Sequence, residues 1–377
     1  MLGILSYRRV AHYLLQSRQV STQKKHHRRC HIAALNPANW SLLTSIILFV
    51  IAAVIIGVIG WRQAELVDRL ADRTGMGEAI AGALFLGAST SLPGIITSVT
   101  TAANGYPELA VSNALGGIAV QTVFLVAADA AYRKANLEHA AASAANIMQG
   151  TLLITLLAIP ILATSSPPFH IWGVNPASPF MIIVYVYGLQ MVQQARNEPM
   201  WRPRQTAKTE EDVPDEEAAH RQSLVGMWVR FAIFAVIIGA AGWVVGRTGE
   251  VISDSTGFSQ TVVGGLFTAI STSLPELVTS VSAVRQGALT LAVSGIIGGN
   301  AFDTLFVAVS DVAYREGSIY HAITEQQIFL MALTGLLVGI LLMGLIRRQE
   351  RGIGNIGFES FTILVLYLGA FALLFFS

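Results

Sequence analysis

Cysteine and charge are both scarce in this sequence. The 377 residues include one cysteine, Cys30, which excludes a disulfide framework and a metal site built from cysteines. Charged residues make up 12% of the chain, whereas soluble proteins average about 25%. Hydrophobic residues make up 53%, so the composition indicates a membrane protein that crosses the bilayer many times. The net charge of +1 gives no reason to expect a nucleic-acid partner.

Histidine is also sparse, and its positions argue against catalysis. The eight histidines lie in the N-terminal extension, in loops or at the ends of apolar segments, and the metalloprotease pattern HExxH is absent from the sequence. An intramembrane hydrolase would need a nucleophile with a base, or a second catalytic acid. We therefore predict that the chain is not an enzyme, with such a hydrolase as the alternative from another class.

Long apolar segments dominate what is present. Ten of them approach the ~20 residues that a bilayer requires, and the chain is predicted to be an all-α membrane protein. Their approximate limits are 40–61, 76–103, 107–130, 140–163, 179–195, 223–246, 260–284, 288–312, 323–346 and 357–376.

Two stretches fall outside this pattern. Residues 1–38 are basic and contain no acidic side chain, and we predict a dispensable, poorly ordered extension. Residues 196–222 are polar and rich in Pro, Glu and Arg, which is typical of a flexible linker. The linker separates a first half, 40–195, from a second half, 223–377.

The two halves are copies of one unit. The pentapeptide Ser89–Pro93 recurs as Ser271–Pro275, 182 positions later, and the same offset aligns several further motifs without a gap. Each half holds five predicted spans, so the second copy must enter the membrane from the opposite side. We expect an inverted repeat with a pseudo-two-fold axis in the membrane plane, an architecture typical of secondary transporters.

Loop charges predict the orientation. Most Lys and Arg residues, including Arg69, Arg133 and Arg347, follow the odd-numbered spans, whereas only Arg247 and Arg315 follow the even-numbered ones. By the positive-inside rule, the 196–222 linker is expected on the cytoplasmic side of a cell membrane, either a plasma membrane or a bacterial inner membrane.

Four spans contain helix-breaking residues. Pro93 and Pro275 interrupt the second and seventh spans, since proline removes a backbone donor. The third and eighth spans carry glycine pairs. The predicted break positions are Pro93, Pro275, Gly116, Gly117, Gly298 and Gly299.

Two carboxylates lie within these apolar segments. Glu276 follows Pro275, and Asp303 follows the second glycine pair. An ionised side chain at the bilayer centre costs about 2.5–3.5 kcal/mol on insertion scales, so such groups mark a protected polar cavity. Neighbouring hydroxyls and a backbone carbonyl freed by Pro275 add oxygen atoms, which hard cations prefer. The sequence predicts a cation site, with Glu276 and Asp303 as the metal ligands. The alternative is a kinked helix whose Glu276 pairs with a basic residue.

Two further acids, Asp129 and Asp311, occupy equivalent positions just before the Tyr-Arg pairs at 132–133 and 314–315. At a membrane boundary such acids pair readily with basic side chains. We expect them to pair with Arg133 and Arg315 rather than to bind ions.

At these motifs the chain resembles the sodium/calcium exchanger family of the cation/calcium antiporter superfamily. The matching segments are GASTSLPGIITS with SNALGGIAVQT in the first half, and AISTSLPELVTS with SGIIGGNAFDT in the second. The resemblance implies ten helices, an inverted repeat, and alternating access in which sodium and calcium compete for one central site. The ion-binding positions that it implies are Glu276, Asp303, Thr90, Ser91, Thr272, Ser273 and Gln121, with backbone carbonyls near Gly87 and Ala269.

The first half departs from the family pattern. Gly94 stands where the family has its other central glutamate, and Gln121 replaces an expected Asn or Asp. Gly117 and Gly299 replace serines. Gly94 is expected to leave room that water can fill, and the reduced charge predicts weak calcium binding.

The sequence thus predicts a secondary cation antiporter for monovalent and divalent cations, sodium and calcium foremost, in a lipid bilayer and without a cofactor. A cation/proton antiporter of the same fold and a non-transporting paralogue remain alternatives. The oligomeric state is not indicated.

Overall fold

The protein is helical in the part of the chain that the computed structural model describes, namely residues 40–74, 87–132, 136–199, 201, 223–349 and 356–376. These residues form no β-strand beyond one isolated bridge between Ile171 and Val174. Seven of the described helices are long and apolar enough to cross a membrane, or eight if one bent pair forms a single span. An all-α membrane protein is therefore what the structure shows. The extension 1–38 and linker residues 202–222 lie outside the described residues.

We number the helices in chain order. They are α1 (Leu42–Thr74), α2 (Leu92–Ala103), α3 (Pro107–Ala131), α4 (Leu137–Ala140), α5 (Ala144–Ser165), α6 (Ala177–Asn197), α7 (Leu224–Thr256), α8 (Gln260–Thr272), α9 (Leu274–Gln286), α10 (Leu289–Asp303), α11 (Leu305–Ala313), α12 (Glu325–Arg347) and α13 (Phe358–Phe376).

Two predicted spans are missing among the described residues even when the bent pair is counted as the eighth candidate span. Residues 76–86 of the second span are not described, and the remainder contains the 12-residue helix α2. The fifth span is the 21-residue helix α6, whose second half carries Gln190, Gln193 and Gln194 and is less apolar than a typical span.

Proline marks the start of α2 and of α9. Pro275 lies in the first turn of α9, and the axis bends by 47° between α8 and α9. Ser273 lies between the two helices and has non-helical dihedral angles. Ser91 has the same place before Pro93, between helical residues 87–90 and α2. Proline suits a first helical turn because its missing N–H would have no partner there.

The glycine pairs do not break their helices, in contrast to the sequence-based prediction. Helix α3 continues through Gly116 and Gly117, and α10 continues through Gly298 and Gly299 to Asp303. Gly116 instead permits close packing, since a Cβ atom on it would lie 2.1 Å from the carbonyl oxygen of Gly265. Gly265 belongs to a π-helical turn, Val263–Thr268, within α8. Glycine is required at this point because two backbones meet.

Helix α3 forms the centre of the bundle. Nearly all of its side chains are buried, and it contacts α2, α8, α9, α10, α12 and α13. Helices α1 and α7 pack against each other on the outside, with apolar side chains such as Leu43, Val54 and Val236 exposed. In a polytopic protein such exposed apolar residues face lipid.

The 182-residue offset recurs in the packing. Helices α1 and α7 begin and end at equivalent positions, and each crosses the proline of the other half. A Cβ atom on Gly60 would lie 2.4 Å from Pro275, and one on the equivalent Gly242 would lie 2.6 Å from the carbonyl oxygen of Pro93. Equivalent residues therefore make equivalent contacts between the halves.

Asp129 and Asp311 hold backbone amides, and the expected pairing of Asp311 with Arg315 is wrong. Asp129 accepts from the amides of Leu137 and Gly357, at 2.7 and 2.8 Å. Asp311 accepts from the amides of Ile319 and Asn175, at 2.8 and 2.7 Å. Arg315 donates instead to the carbonyl of Val312, and Arg133 lies outside the described residues. Buried carboxylates are stable in this role because amide donors satisfy them.

Candidate functional site

The starts of α2 and α9 meet the middle of α3 and the end of α10 at one buried point. Asp303, the last residue of α10, is 2% exposed. Its Oδ1 accepts a hydrogen bond from the hydroxyl of Ser91 at 2.6 Å, and its Oδ2 accepts one from Nε2 of Gln121 at 2.7 Å. Charge-assisted bonds of this length are strong, so Asp303 fixes the two halves against each other.

The arrangement is nearly symmetric. Gln121 and Asp303 are equivalent positions of the two halves, 182 residues apart, and they bond directly to each other. Gln121 also donates to the hydroxyl of Ser273 at 3.2 Å, which repeats the contact between Asp303 and Ser91. Each half thus supplies one long polar side chain and one serine to a ring that we call the central ring: Ser91, Gln121, Ser273 and Asp303.

Glu276 lies beside this ring and is 5% exposed. Within the described residues, neither of its carboxylate oxygens has a hydrogen bond of ordinary geometry. Its neighbours include Thr90 and the charge of Asp303. A buried carboxylate without donors is costly, and a bound cation would remove that cost.

No basic side chain neutralises this pair of acids in the described part of the chain. Ion pairs among those residues, such as Arg69 with Glu65, Arg247 with Glu250, and Arg347 with Glu359, involve neither acid. The kinked-helix alternative, in which a basic residue pairs with Glu276, therefore has no support in the described structure. The described residues also contain no group of three or more His, Cys, Asp or Glu side chains arranged for a metal ion, so carboxylates supply at most two of the ligands here.

The predicted backbone ligands already have donors. The carbonyl oxygen of Gly87 accepts from the amide of Ser91 at 3.0 Å and from the hydroxyl of Thr90 at 3.2 Å. The carbonyl oxygen of Ala269 accepts from the amide of Ser273 at 3.1 Å and from the hydroxyl of Thr272 at 3.3 Å. These groups lie in the turns that precede the two prolines, but an ion would have to share them with existing bonds.

Two amide side chains near the ring have oxygens without donors. Oε1 of Gln121 is buried and unpaired, as is Oδ1 of Asn300, whose Nδ2 donates to Thr122 at 3.2 Å. Sequence reasoning missed Asn300, although it directly follows the second glycine pair. Neutral amide oxygens are suitable ligands for hard cations.

Glycine at position 94 does not leave an open space. A Cβ atom on Gly94 would lie 2.7 Å from Cε2 of Phe306, which is closer than non-bonded carbon atoms approach. The expectation that water fills this position is therefore wrong, because an aromatic ring occupies the space. By contrast, Cβ atoms on Gly117 and Gly299 would make ordinary contacts, 3.5 Å from Ser273 Oγ and 3.8 Å from Gln121 Oε1.

A family model described as "sodium/calcium exchanger protein" matches residues 44–191 and 225–376. The chain belongs to the sodium/calcium exchanger protein family. Its match covers both halves and omits the linker, as the repeat predicts.

Individual relatives agree with the family. The putative antiporter CaxA of Alkalimonas amylolytica is 26% identical over 300 residues, which cover 79% of this chain and 88% of that protein. The inner membrane protein YrbG of Escherichia coli (strain K12) is 23% identical over 294 residues, covering 78% of this chain and 87% of that protein.

Solved structures support the fold. The structure of native YfkE has a TM-score of 0.58 at 13% identity and covers 92% of this chain and 96% of its own. A structure of the sodium-calcium exchanger NCX_Mj has a TM-score of 0.55 at 18% identity and covers 88% of this chain and 99% of its own. This exchanger-family chain is therefore an integral membrane protein with the NCX_Mj-like fold. Each of the two segments matched by the family model contributes two residues to the central ring.

Proposed function

We propose that this chain is a secondary active cation antiporter whose transported ions compete for the site formed by Glu276, Asp303 and the rest of the central ring. One observation carries the proposal. Glu276 is a buried carboxylate with no ion-pair partner and no hydrogen bond of ordinary geometry in the described structure, and it lies next to a second carboxylate. A cation supplies the missing charge.

The site supports alternating access because both halves build it. Ser91 and Gln121 come from the first half, and Ser273 and Asp303 come from the second. We propose ten spans arranged as an inverted repeat, in which α2 and the bent pair α8–α9 are broken helices meeting near the midplane. The equivalent contacts of Gly60 and Gly242 with the opposite prolines support this arrangement.

Sodium and calcium are the ions that we propose, in keeping with the family. The proposed ligands are the two carboxylates, the hydroxyls of Thr90, Ser91, Thr272 and Ser273, the side chain of Gln121, and carbonyls near Gly87 and Ala269. Asn300 is added on the basis of its unpaired oxygen. The protein would act in a cell membrane with residues 196–222 on the cytoplasmic side.

Exchange of a cation for a proton is the second candidate. The two adjacent buried acids favour it, because carboxyl groups can carry protons when no cation is bound. The name of the relative CaxA, a putative antiporter, supports transport over an intramembrane hydrolase.

Flux in proteoliposomes tests the proposal. Purified protein is reconstituted, and sodium, calcium, potassium and proton gradients are imposed one at a time. We expect cation-coupled exchange that Glu276→Gln abolishes and Asp303→Asn reduces severely, since each change removes a site charge. Glu198→Gln, at an exposed position after α6, is the matched control and should transport normally.

Normal transport by Glu276→Gln would refute the assignment of the site. Exchange that persists with a proton gradient alone would select the second candidate. Absence of flux in every gradient, in protein that remains folded, would identify a non-transporting member of the family.

A further inference from the structure

The two halves differ most at the position opposite Glu276. The equivalent of Glu276 is Gly94, whereas the aromatic residue equivalent to Phe306 is Phe124 in the other half. The halves therefore share the phenylalanine and differ in the acid. Glu276 of the second half brings a carboxylate to the site. At the equivalent position of the first half, the ring of Phe306, which comes from the second half, lies against Gly94.

Phe306 is held firmly in that position. It is 4% exposed, and its ring packs edge-to-face on Phe302, with centroids 6.1 Å apart and planes at 85°. Phe302 in turn packs on Tyr185 of α6 with centroids 6.0 Å apart. Because the ring is fixed on several sides, it cannot move aside freely for a side chain at position 94.

Two carboxylates, Glu276 and Asp303, supply the acidic ligands of the site. Both oxygens of Asp303 have close donors, Ser91 and Gln121. Glu276 is the one carboxylate of the pair whose oxygens have no hydrogen bond of ordinary geometry among the described residues. The donors of Asp303 are neutral and leave its charge in place, so the two acids together balance at most two positive charges. Calcium requires six to eight oxygen ligands, and a further carboxylate would be the strongest of them.

We propose that Gly94 and Phe306 act as a coupled pair that weakens calcium binding at the central site by keeping a further carboxylate out of it. The ring of Phe306 occupies the space that an acidic side chain of the first half would need. Phe306 is in this sense a specificity-determining residue of the second half, and Gly94 is the small partner that it requires. This inference rests on the proposed function, since it concerns the selectivity of the same site.

A double-mutant cycle measured without any ion tests the steric coupling between position 94 and the ring of Phe306. Gly94→Ala should lower the unfolding temperature in detergent, because its Cβ atom meets the ring. Phe306→Ala should also lower it, because a cavity forms. In the double variant the alanine has room, so the combined loss should be smaller than the sum of the single losses. Additive losses would overturn the coupling.

Calcium binding tests the selectivity. The parent should bind radiolabelled sodium, and calcium should displace it only weakly. Gly94→Glu alone should gain no calcium affinity, whereas Gly94→Glu with Phe306→Ala should bind calcium at least about tenfold more tightly than the parent. A tenfold change corresponds to about 1.4 kcal/mol, a modest effect for an added carboxylate ligand. Gly94→Glu with Phe124→Ala is the matched control, since it removes the equivalent ring of the other half, and it should show no gain.

Three results would overturn the inference while leaving the proposed function intact. The first is tight calcium binding by the parent. The second is a tenfold gain in calcium affinity by Gly94→Glu alone. The third is no gain in calcium affinity by Gly94→Glu with Phe306→Ala, although the parent transports sodium. If the glutamate variant does not fold, Gly94→Asp with Phe306→Ala carries the same test with the same outcomes. Failure of the parent to move any cation would instead contradict the proposed function.

Discussion

Buried acids in this protein are distinguished by their donors rather than by their depth. Asp129 and Asp311 each accept two backbone amides and therefore organise the chain around them. Asp303 accepts from two side chains and joins the halves. Glu276 has no such bond among the described residues. A carboxylate whose bonds are satisfied is structural, and one that lacks donors is the better candidate for binding a cation.

Glu138, which lies outside the membrane-spanning segments, is another buried acid with an oxygen that lacks a donor among the described residues. It lies in the short helix α4, where Oε1 accepts from Ser360 at 2.6 Å and Oε2 is buried without a partner in the described structure. Burial raises the pKa of Glu138 from 4.5 to about 7, and the negative charge of Asp129 adds to this effect.

The folded state therefore binds a proton at Glu138 more tightly than the unfolded state. The stabilising contribution is complete below pH 4.5 and is lost as the pH rises to about 7. Glu138→Gln cannot ionise and keeps the acceptor for Ser360. We expect the unfolding temperature of the variant relative to the parent to rise between pH 5 and pH 7.5, as measured by thermal denaturation in detergent. A constant difference for Glu138→Gln would contradict the prediction.

At the scale of helices, proline and glycine have different effects. Proline interrupts a helix through a local cause, since it lacks an N–H and its ring clashes with the carbonyl four residues earlier. The breaks before α2 and α9 could therefore be predicted from the sequence. Whether a glycine pair breaks a helix depends on what packs against it, and here the partner of Gly116 is a π-helical turn about 150 residues away, at Gly265.

The glycine pair at 116–117 offers a matched test of this packing. Gly116→Ala should destabilise the protein by about 1–3 kcal/mol or more, the usual cost of overpacking, because its Cβ atom would lie 2.1 Å from a backbone oxygen. Gly117→Ala adds a Cβ atom at the adjacent position, where the nearest atom would be 3.5 Å away. This substitution should be tolerated. Unfolding temperatures in detergent compare the two. Equal stability of the variants would show that α3 and α8 do not approach so closely.

For the whole molecule, much of the fold could be predicted from the sequence. Apolar length, the offset of 182 and the STSLP motif can be recognised in the sequence alone, and they indicated an all-α membrane protein and the four residues that form the central ring. The occupant of the space at Gly94 could not be predicted, because Phe306 lies 212 positions away and no pattern connects the two. The partners of Asp129 and Asp311 were missed for a related reason, since backbone amides carry no sequence signature.

The predicted orientation can be tested with cysteine labelling. Cys30 is the single native cysteine, so Cys30→Ser provides a background without thiols. Trp172 is 92% exposed between α5 and α6, and Glu198 is exposed after α6. In intact cells a membrane-impermeant maleimide should label Trp172→Cys and should label Glu198→Cys only after lysis. The reverse pattern would invert the orientation derived from the loop charges.

The ring between the halves also has an electrical consequence. Both carboxylates of the site, Glu276 and Asp303, belong to the second half, whereas the first half contributes Ser91 and Gln121, which are neutral. One elementary charge that crosses the full membrane gains or loses about 2.3 kcal/mol per 100 mV. A displacement of the second half along the membrane normal would move the charge of the two carboxylates through this field, and the same displacement of the first half would move none of it. In the proposed antiport cycle, membrane voltage is therefore expected to act on the ion site through the half of the molecule that holds both carboxylates.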